Sequence, residues 1–292
     1  MSKPKVIVTG GSGKAGRYII KEFLDHGYEV LNLDQNVPET SLCPTMVIDL
    51  TDAGQVHTAL SAHAQGNGKL PVAVVHFAAI PRPFIYPNDV VYRNNVMSTY
   101  NILEACANLG IHKVVSASSE AAYGIVFAKK MFDPQYLPLD EEHPMLPEDS
   151  YGLSKVIGEE TAAAFHRRTG MQVVSFRLGN ILTPEDYPRV INSFARPEER
   201  LRNIWTYIDA RDVSSACRLA VEKSGLGAVA LNLSADDTSS DKSNGELISA
   251  FFPQVKDIRV PLDGRSSLYA NEKCKQLLGW RQQYFLQENA EY

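Results

Sequence analysis

Tyr151-Gly152-Leu153-Ser154-Lys155 sets a phenol and an ammonium at i and i+4, on one face of a helix. A free phenol, with a pKa of about 10, is a poor base at neutral pH. A lysine beside it stabilises phenolate and lowers that pKa, which suits proton exchange with a hydroxyl. Upstream, Ala117-Ser118-Ser119-Glu120-Ala121-Ala122-Tyr123-Gly124 closes an apolar strand pattern. Its hydroxyls therefore emerge at the carboxyl edge of a sheet, where ligands bind in such folds. Y-x-x-x-K alone is common by chance. The serine strand-end before it gives the spacing meaning.

A third element precedes both. Thr9-Gly10-Gly11-Ser12-Gly13-Lys14-Ala15-Gly16 lies between the first strand and the first helix, with Gly10, Gly13 and Gly16 spaced G-x-x-G-x-x-G. Residues without a Cβ let backbone amides approach a pyrophosphate at the helix N-terminus, so Gly10, Gly13, Lys14, Ala15 and Gly16 are expected cofactor contacts. Asp34 ends the second strand, where a carboxylate accepts hydrogen bonds from ribose hydroxyls and repels a 2′-phosphate. NAD is the cofactor this favours over NADP. Lys14 and Arg17 are the cations near the turn that can weaken that preference, or else they are a solvated helix face. Asp49-Leu50 follows the third strand, placed to touch adenine. Phe77-Ala78-Ala79-Ile80 ends the fourth with small residues, as a backbone running close under a cofactor requires.

These residues need a scaffold that gathers strand ends. Val6-Ile7-Val8, Glu29–Leu33, Met46-Val47-Ile48, Val72–Phe77, Lys113–Ala117 and Gln172–Phe176 are apolar runs of strand length. Helical patterns alternate with them at about 14–26, 53–63, 90–108 and 151–169. Continuous apolar strands alternating with helices predict an α/β fold, a Rossmann doubly wound parallel sheet. Gln65-Gly66-Asn67-Gly68 reads as a surface loop, and the proline- and acid-rich stretch 125–149 as an irregular excursion over the sheet edge. The rhythm breaks after about residue 184. The expected organisation is an NAD-binding domain over 1–183, its sheet completed by about 204–233. A small C-terminal substrate-binding cap would be built from 184–203 and 234–292.

With 44% hydrophobic and 22% charged residues among 292, the chain reads as an ordinary globular protein. A net charge of −5 argues against a nucleic-acid surface, which carries a basic stripe. Cys43, Cys106, Cys217 and Cys274 are far apart and read as thiols in a reducing compartment. The histidines form no metal-ligand spacing. Met1-Ser2-Lys3-Pro4 runs into a strand without a signal peptide, and no apolar run reaches the ~20 residues of a membrane span, so a cytoplasmic protein is expected.

Together these motifs resemble the extended short-chain dehydrogenase/reductases, the NAD-dependent sugar epimerase/dehydratase family, over nearly the whole chain. The resemblance rests on the glycine turn, Asp34, Asp49, Ser119, Tyr151, Lys155, and Asn95 in the long helix. Arg177-Leu178-Gly179-Asn180 and Tyr207-Ile208-Asp209-Ala210-Arg211-Asp212-Val213 also match the segments leading into and out of the substrate cap. It implies that Ser119 holds the substrate hydroxyl, Tyr151 is the acid/base, and Lys155 also binds the nicotinamide ribose. Ser118 can share the hydroxyl contact.

The substrate class stays open between a sugar or sugar acid that is oxidised and a nucleotide sugar that is epimerised on retained NAD. Segment 177–189 resembles its counterpart in uronate dehydrogenases, where an arginine twelve residues past the first binds the substrate carboxylate. Arg189 occupies that spacing, or is a plain surface arginine. Glu120-Ala121 stands where those enzymes carry Asn-His. Asn180 instead matches the asparagine of nucleotide-sugar enzymes, and Arg265 lies where relatives often contact phosphate. Against a nucleotide sugar, Trp205 sits where UDP-sugar epimerases carry a diphosphate-binding arginine. Arg196, Arg200 and Arg202 with Glu198 and Glu199 read as a basic lip or a solvated helical face. A non-catalytic NAD-binding regulator is the contrasting class, and such proteins usually lose the tyrosine or the lysine. A homodimer paired through helices 90–108 and 151–169 is implied by the resemblance alone.

Overall fold

The computed structural model describes residues 3–65 and 70–286. Residues 66–68 of the expected surface loop and 287–292 of the expected cap lie outside the described residues. β1 (Lys5–Thr9), α1 (Gly16–Asp25), β2 (Glu29–Asp34), β3 (Thr45–Val47), α2 (Ala53–Gln65), β4 (Ala73–His76), α3 (Asn88–Leu109) and β5 (Lys113–Ser119) come first. β6 (Tyr136–Leu137), α4 (Ser150–Thr169), β7 (Gln172–Leu178), β8 (Ile181–Leu182), α5 (Tyr187–Ile191) and β9 (Ile208–Asp209) follow. α6 (Ala210–Glu222), β10 (Ala228–Leu233), α7 (Asn244–Phe251), β11 (Asp257–Ile258) and α8 (Glu272–Leu278) complete the order.

Seven parallel strands form the central sheet in the order β10-β7-β5-β4-β1-β2-β3. Alternation along each strand divides the core. Val6 and Val8 face α1, α6 and α8, whereas Ile7 between them faces α2 and α3. The sheet is thus buried on both sides, which explains why its strands read as unbroken apolar runs. β5 and β7 extend past their apolar runs because the ladder continues through Ser118↔Arg177 and Ser119↔Leu178. α1 begins later than its apolar pattern suggests, since residues up to Ala15 are spent on the turn.

The stretch 125–149 is less irregular than expected. It contributes β6, which pairs with β11, while β8 pairs with β9. Ile125, Leu137 and Leu139 join Trp205, Phe252 and Leu268 in an apolar cluster separate from the two sheet faces.

Strand order reverses at β1, whose neighbours are β4 and β2, and the chain leaves β1 and β4 toward opposite faces. At that crevice the backbones nearly touch. A Cβ on Gly10 would lie 2.6 Å from the Ala78 nitrogen, and Gly10 has a left-handed φ of +72°. Only glycine fits there. Gly10→Ala is expected to cost about 2 kcal/mol or more and to abolish cofactor binding. Thermal unfolding with and without NAD checks this against Gly264→Ala, whose added Cβ meets nothing.

Candidate active site

The carboxyl ends of the strands surround a cavity of about 850 Å³. Gly10, Gly13, Lys14, Ala15, Gly16, Asp34, Leu50, Ala78 and Ala79 line one part, and Ser118, Ser119, Glu120, Tyr151, Lys155 and Asn180 the other. Residues from seven separate segments thus meet on one wall.

The glycine turn is held from below by a residue that sequence reasoning passed over. Asn32, buried in β2, accepts the Gly11 N–H at 2.9 Å and donates to the Ser12 and Thr45 hydroxyls. Its signal is an amide inside an apolar strand. Asp34 accepts the N–H groups of Ser12 (3.0 Å) and Asn36 (3.2 Å), which aims its carboxylate at the end of the cavity. Lys14 donates to the Ile181 carbonyl and pairs with Asp186 at 2.6 Å, and Arg17 reaches Glu185. Both cations near the turn are therefore tied to the segment after β8, and Asp34 is left to set the charge. His76, also missed, contacts the hydroxyls of Thr9 (2.8 Å) and Thr99 (3.3 Å). Burial, then the charge of Lys155, push it down to about 3, so it is neutral and packs the β1–β4 edge.

A short chain of contacts positions Tyr151. The Asp149 carboxylate accepts the N–H groups of Tyr151 and Gly152 and so caps α4. A Cβ on Gly152 would lie 2.6 Å from the Ala121 carbonyl oxygen. Glycine there lets α4 settle against the turn that follows Ser119, bringing the phenol to the serine. Lys155 donates to the Ala117 carbonyl at 2.7 Å, and its ammonium lies 5.3 Å from the centre of the Tyr151 ring.

The expected lowering of the phenol by Lys155 is not what the protein alone provides. Burial pushes Tyr151 up to about 12, against the Ser119 hydroxyl, which pulls it down. Lys155 is itself pushed down to about 8 by burial, against the nearby Glu159. Desolvation dominates both groups, because each charged form loses water in this wall.

The two serines separate by strand alternation. Ser118 donates its hydroxyl to Glu159 at 2.5 Å, and Glu159 takes a bidentate grip from the buried Arg177. Ser118 thus donates its proton to that ion pair, although it also lines the cavity. Ser119 accepts the Ala121 N–H and stands beside Tyr151.

Four expected site residues do not reach the cavity wall. Asp49 accepts the N–H and hydroxyl of Thr51, building the turn into α2. Asn95 bridges both backbone groups of Ile80 and the Ser154 hydroxyl, so it shapes the loop after β4, while its neighbour Asn94 lines the cavity. Arg189 points outward, 69% exposed, and pairs with Asp186. Arg265 donates to the Ser240 carbonyl. Arg200 belongs to neither a lip nor a solvated face. It is buried, donating to Ser239, to the Asn180 side chain and to the Thr206 carbonyl. Asn203 and Arg82 join the wall with no sequence signal.

The residues fit a dinucleotide. The turn brings backbone within reach of a pyrophosphate, the Asp34 carboxylate closes one end, and Tyr151 and Lys155 stand at the other. Among the described residues no cluster of acids, histidines and cysteines suits a metal. Nor is any described helix long and apolar enough to cross a membrane.

The profile of the NAD dependent epimerase/dehydratase family matches residues 6–233. The chain belongs to this family. Its similarity to a UDP-glucose 4-epimerase of Rhizobium leguminosarum bv. trifolii is 27% identity, over 99% of this chain and 95% of that one. A uronate dehydrogenase of Pseudomonas putida is 25% identical over 76% of this chain and 73% of its own length. A Methanocaldococcus jannaschii relative, 31% identical, is matched over 58% of its length. Among solved structures, the NAD complex of a Thermus thermophilus UDP-glucose 4-epimerase superimposes with a TM-score of 0.68. It is 26% identical, with 98% of this chain and 96% of that one covered. Family membership makes the chain an NAD-dependent enzyme of the short-chain dehydrogenase/reductase type.

Within that family the placement of Asp34 predicts a preference for NAD over NADP of about 2 kcal/mol, or about thirtyfold, from repulsion and a lost hydrogen bond. Asp34→Ala should narrow the gap, as measured by titrating both cofactors against intrinsic fluorescence. Equal binding of both by the unaltered protein would return the decision to Lys14 or Arg17.

Proposed function

We propose that this chain oxidises a hydroxyl of a small sugar, with NAD as the hydride acceptor. The observation that carries the reading is the convergence of Ser119, Tyr151 and Lys155 on the cavity that the glycine turn and Asp34 also line. Ser119 holds the substrate hydroxyl, and Tyr151 takes its proton. Lys155 supplies positive charge beside the phenol and reaches toward the ribose. Bound NAD supplies the acceptor for the hydride and, when oxidised, a positive ring near the phenol. A non-catalytic regulator is disfavoured by retention of all three groups in one wall.

Two features support a small substrate over a nucleotide sugar. One cavity must take the dinucleotide and the substrate together. The cations lining it, among the described residues, are Lys14, Arg82 and Lys155, and Lys14 is held by Asp186. Trp205, at the position of the diphosphate-binding arginine, is fully buried against Phe251 and Phe252. The second reading, a nucleotide-sugar 4-epimerase retaining NAD, is favoured by the end-to-end similarity to the Rhizobium enzyme. Segments 184–203 and 234–292 would act as the substrate cap in either case. Following NADH release with free sugars, uronates and UDP-sugars in parallel decides, because an epimerase converts its sugar without net NADH.

Tyr151→Phe keeps the ring and removes the proton-exchanging oxygen. Turnover should fall at least ~10²-fold while NAD affinity changes little. Lys155→Met should damage both turnover and cofactor binding. Oxidation needs the phenol to accept a proton, so its rate should rise with pH, and reduction should fall, through the pKa that the bound cofactor sets below about 12. Near-normal turnover by Tyr151→Phe would remove the assignment.

A homodimer through α3 and α4 is also proposed. The two helices pack side by side and leave Met97, Tyr100 and Leu153 exposed. Light scattering at high micromolar concentration should show the dimer. A monomer throughout would discard it.

A further inference from the structure

We propose that Glu120 is a specificity-determining substrate contact, whose carboxyl group binds a hydroxyl of an uncharged sugar and disfavours sugar acids. The inference rests on the reading that the cavity takes a small sugar, and it deepens that reading by naming the charge class.

Glu120 opens the turn directly after Ser119, and it lines the cavity with Ser119, Tyr151, Asn180 and Asn203. It is nevertheless buried, at 8% exposure. One oxygen, Oε1, accepts the Asn203 amide at 2.6 Å. Among the described residues no other hydrogen bond to this carboxyl and no ion pair within 4.0 Å is found. Arg200, whose charge acts on Glu120, spends its donors on Ser239, Asn180 and Thr206, and Arg202 donates to the Val126 and Ala128 carbonyls. A buried acid with one amide donor and no ion pair is costly to keep. A glutamine would hold Asn203 equally well, so the loop contact alone does not account for an acid.

The other half of the contact is built rather than incidental. Asn203 is followed by Ile204 and Trp205, both with left-handed φ (49° and 52°), a conformation that non-glycine residues adopt at a cost. Burial of Trp205, whose indole donates to the Pro197 carbonyl, holds the strained pair in place. The strain presents the Asn203 amide to Glu120 and leaves the second carboxyl oxygen for a ligand. A sugar hydroxyl supplies the missing hydrogen-bond partner. With Glu120 ionised, a sugar carboxylate in the same subsite puts a second negative charge beside the first in a water-poor wall; Arg189 and Arg265 are not on that wall, and its cations, Lys14, Arg82 and Lys155, make no ion pair with Glu120.

The discrimination should depend on pH. Burial holds Glu120 up at about 8, with the Asn203 hydrogen bond and Arg200 opposing, so its negative charge grows across the alkaline range. The titratable and charged groups around it are Tyr151 from α4, Tyr123 from its own turn, Arg200 and Arg202 from the 197–203 turn, and Tyr269. Tyr151 and Tyr123, pushed up to about 12, and Tyr269, pushed well up by burial, stay protonated there. Lys155 titrates in the same range, at about 8, and affects wild type and Glu120 variants alike.

The test compares kcat/KM for galactose against galacturonate, and glucose against glucuronate, with NAD at pH 7 and pH 9. Wild type should prefer the neutral member at least about tenfold at pH 9, and less at pH 7, where Glu120 is largely protonated. Glu120→Gln, which keeps the Asn203 contact without the charge, should reduce that preference at least about tenfold at pH 9 and flatten its extra pH dependence. Turnover with a ratio unmoved in Glu120→Gln, or a wild type that prefers the acid, overturns the inference and leaves the sugar oxidoreductase reading standing. Calorimetry of the same pairs with NADH-loaded protein needs no turnover. Discrimination there that disappears in Glu120→Gln supports the inference even where oxidation is absent and the proposed function fails. Equal affinity for both members, or affinity for neither, overturns it.

Discussion

The structure depends on one constraint: seven strands that run the same way, with their order reversing at β1. Parallel strands put all their carboxyl ends on one edge, and the reversal forces the connections from β1 and β4 to opposite faces. A crevice opens where they part, and its floor is the contact between Gly10 and Ala78. Every residue proposed for the chemistry is at a strand end, or on a helix or turn that a strand end holds. Asp34 closes β2, Ser119 closes β5, and Tyr151 reaches β5 because Gly152 lets α4 rest on Ala121.

Desolvation is the second theme of the site. Burial holds Tyr151, Lys155 and Glu120 in the wall, and His76 behind it, away from water, and each is displaced toward its neutral form. The protein alone therefore presents a protonated phenol and a weakened ammonium. Charge is concentrated instead in the Arg177–Glu159 pair, beneath the serines, where multiple hydrogen bonds compensate its burial. That pair anchors Ser118, whereas Ser119 faces the cavity beside Tyr151. The polar groups of the wall are thereby divided between those that brace and those that remain available to a ligand.

Much of this was legible in the residues themselves. The apolar runs marked the strands, because a sheet covered on both faces demands continuous apolar sequence. The glycine turn, Asp34 and the Tyr151–Lys155 spacing marked the site, because their geometry is local: a tight turn, a strand end, one helical turn. Boundaries slipped where the backbone ladder outlasted the apolar run, as at Ser118 and Ser119. Other expected residues lie off the cavity wall. Arg189 sits at the right count from Arg177, but α5 turns it outward to Asp186. Asp49 and Asn95 have side chains that the local backbone claims first.

By itself, then, the chain's sequence determined the layered fold, the dinucleotide turn and the candidate reacting side chains, since these follow from periodicity and from contacts within a few residues. Only the tertiary structure decided which groups around them are free. Glu120 and Asn203 meet across 83 residues, Lys14 and Ile181 across 167, and Tyr123 and Asn232 across 109. No local pattern encodes such pairs. A side chain's availability to a ligand depends on what the rest of the chain brings against it, and on whether water is left there to compete.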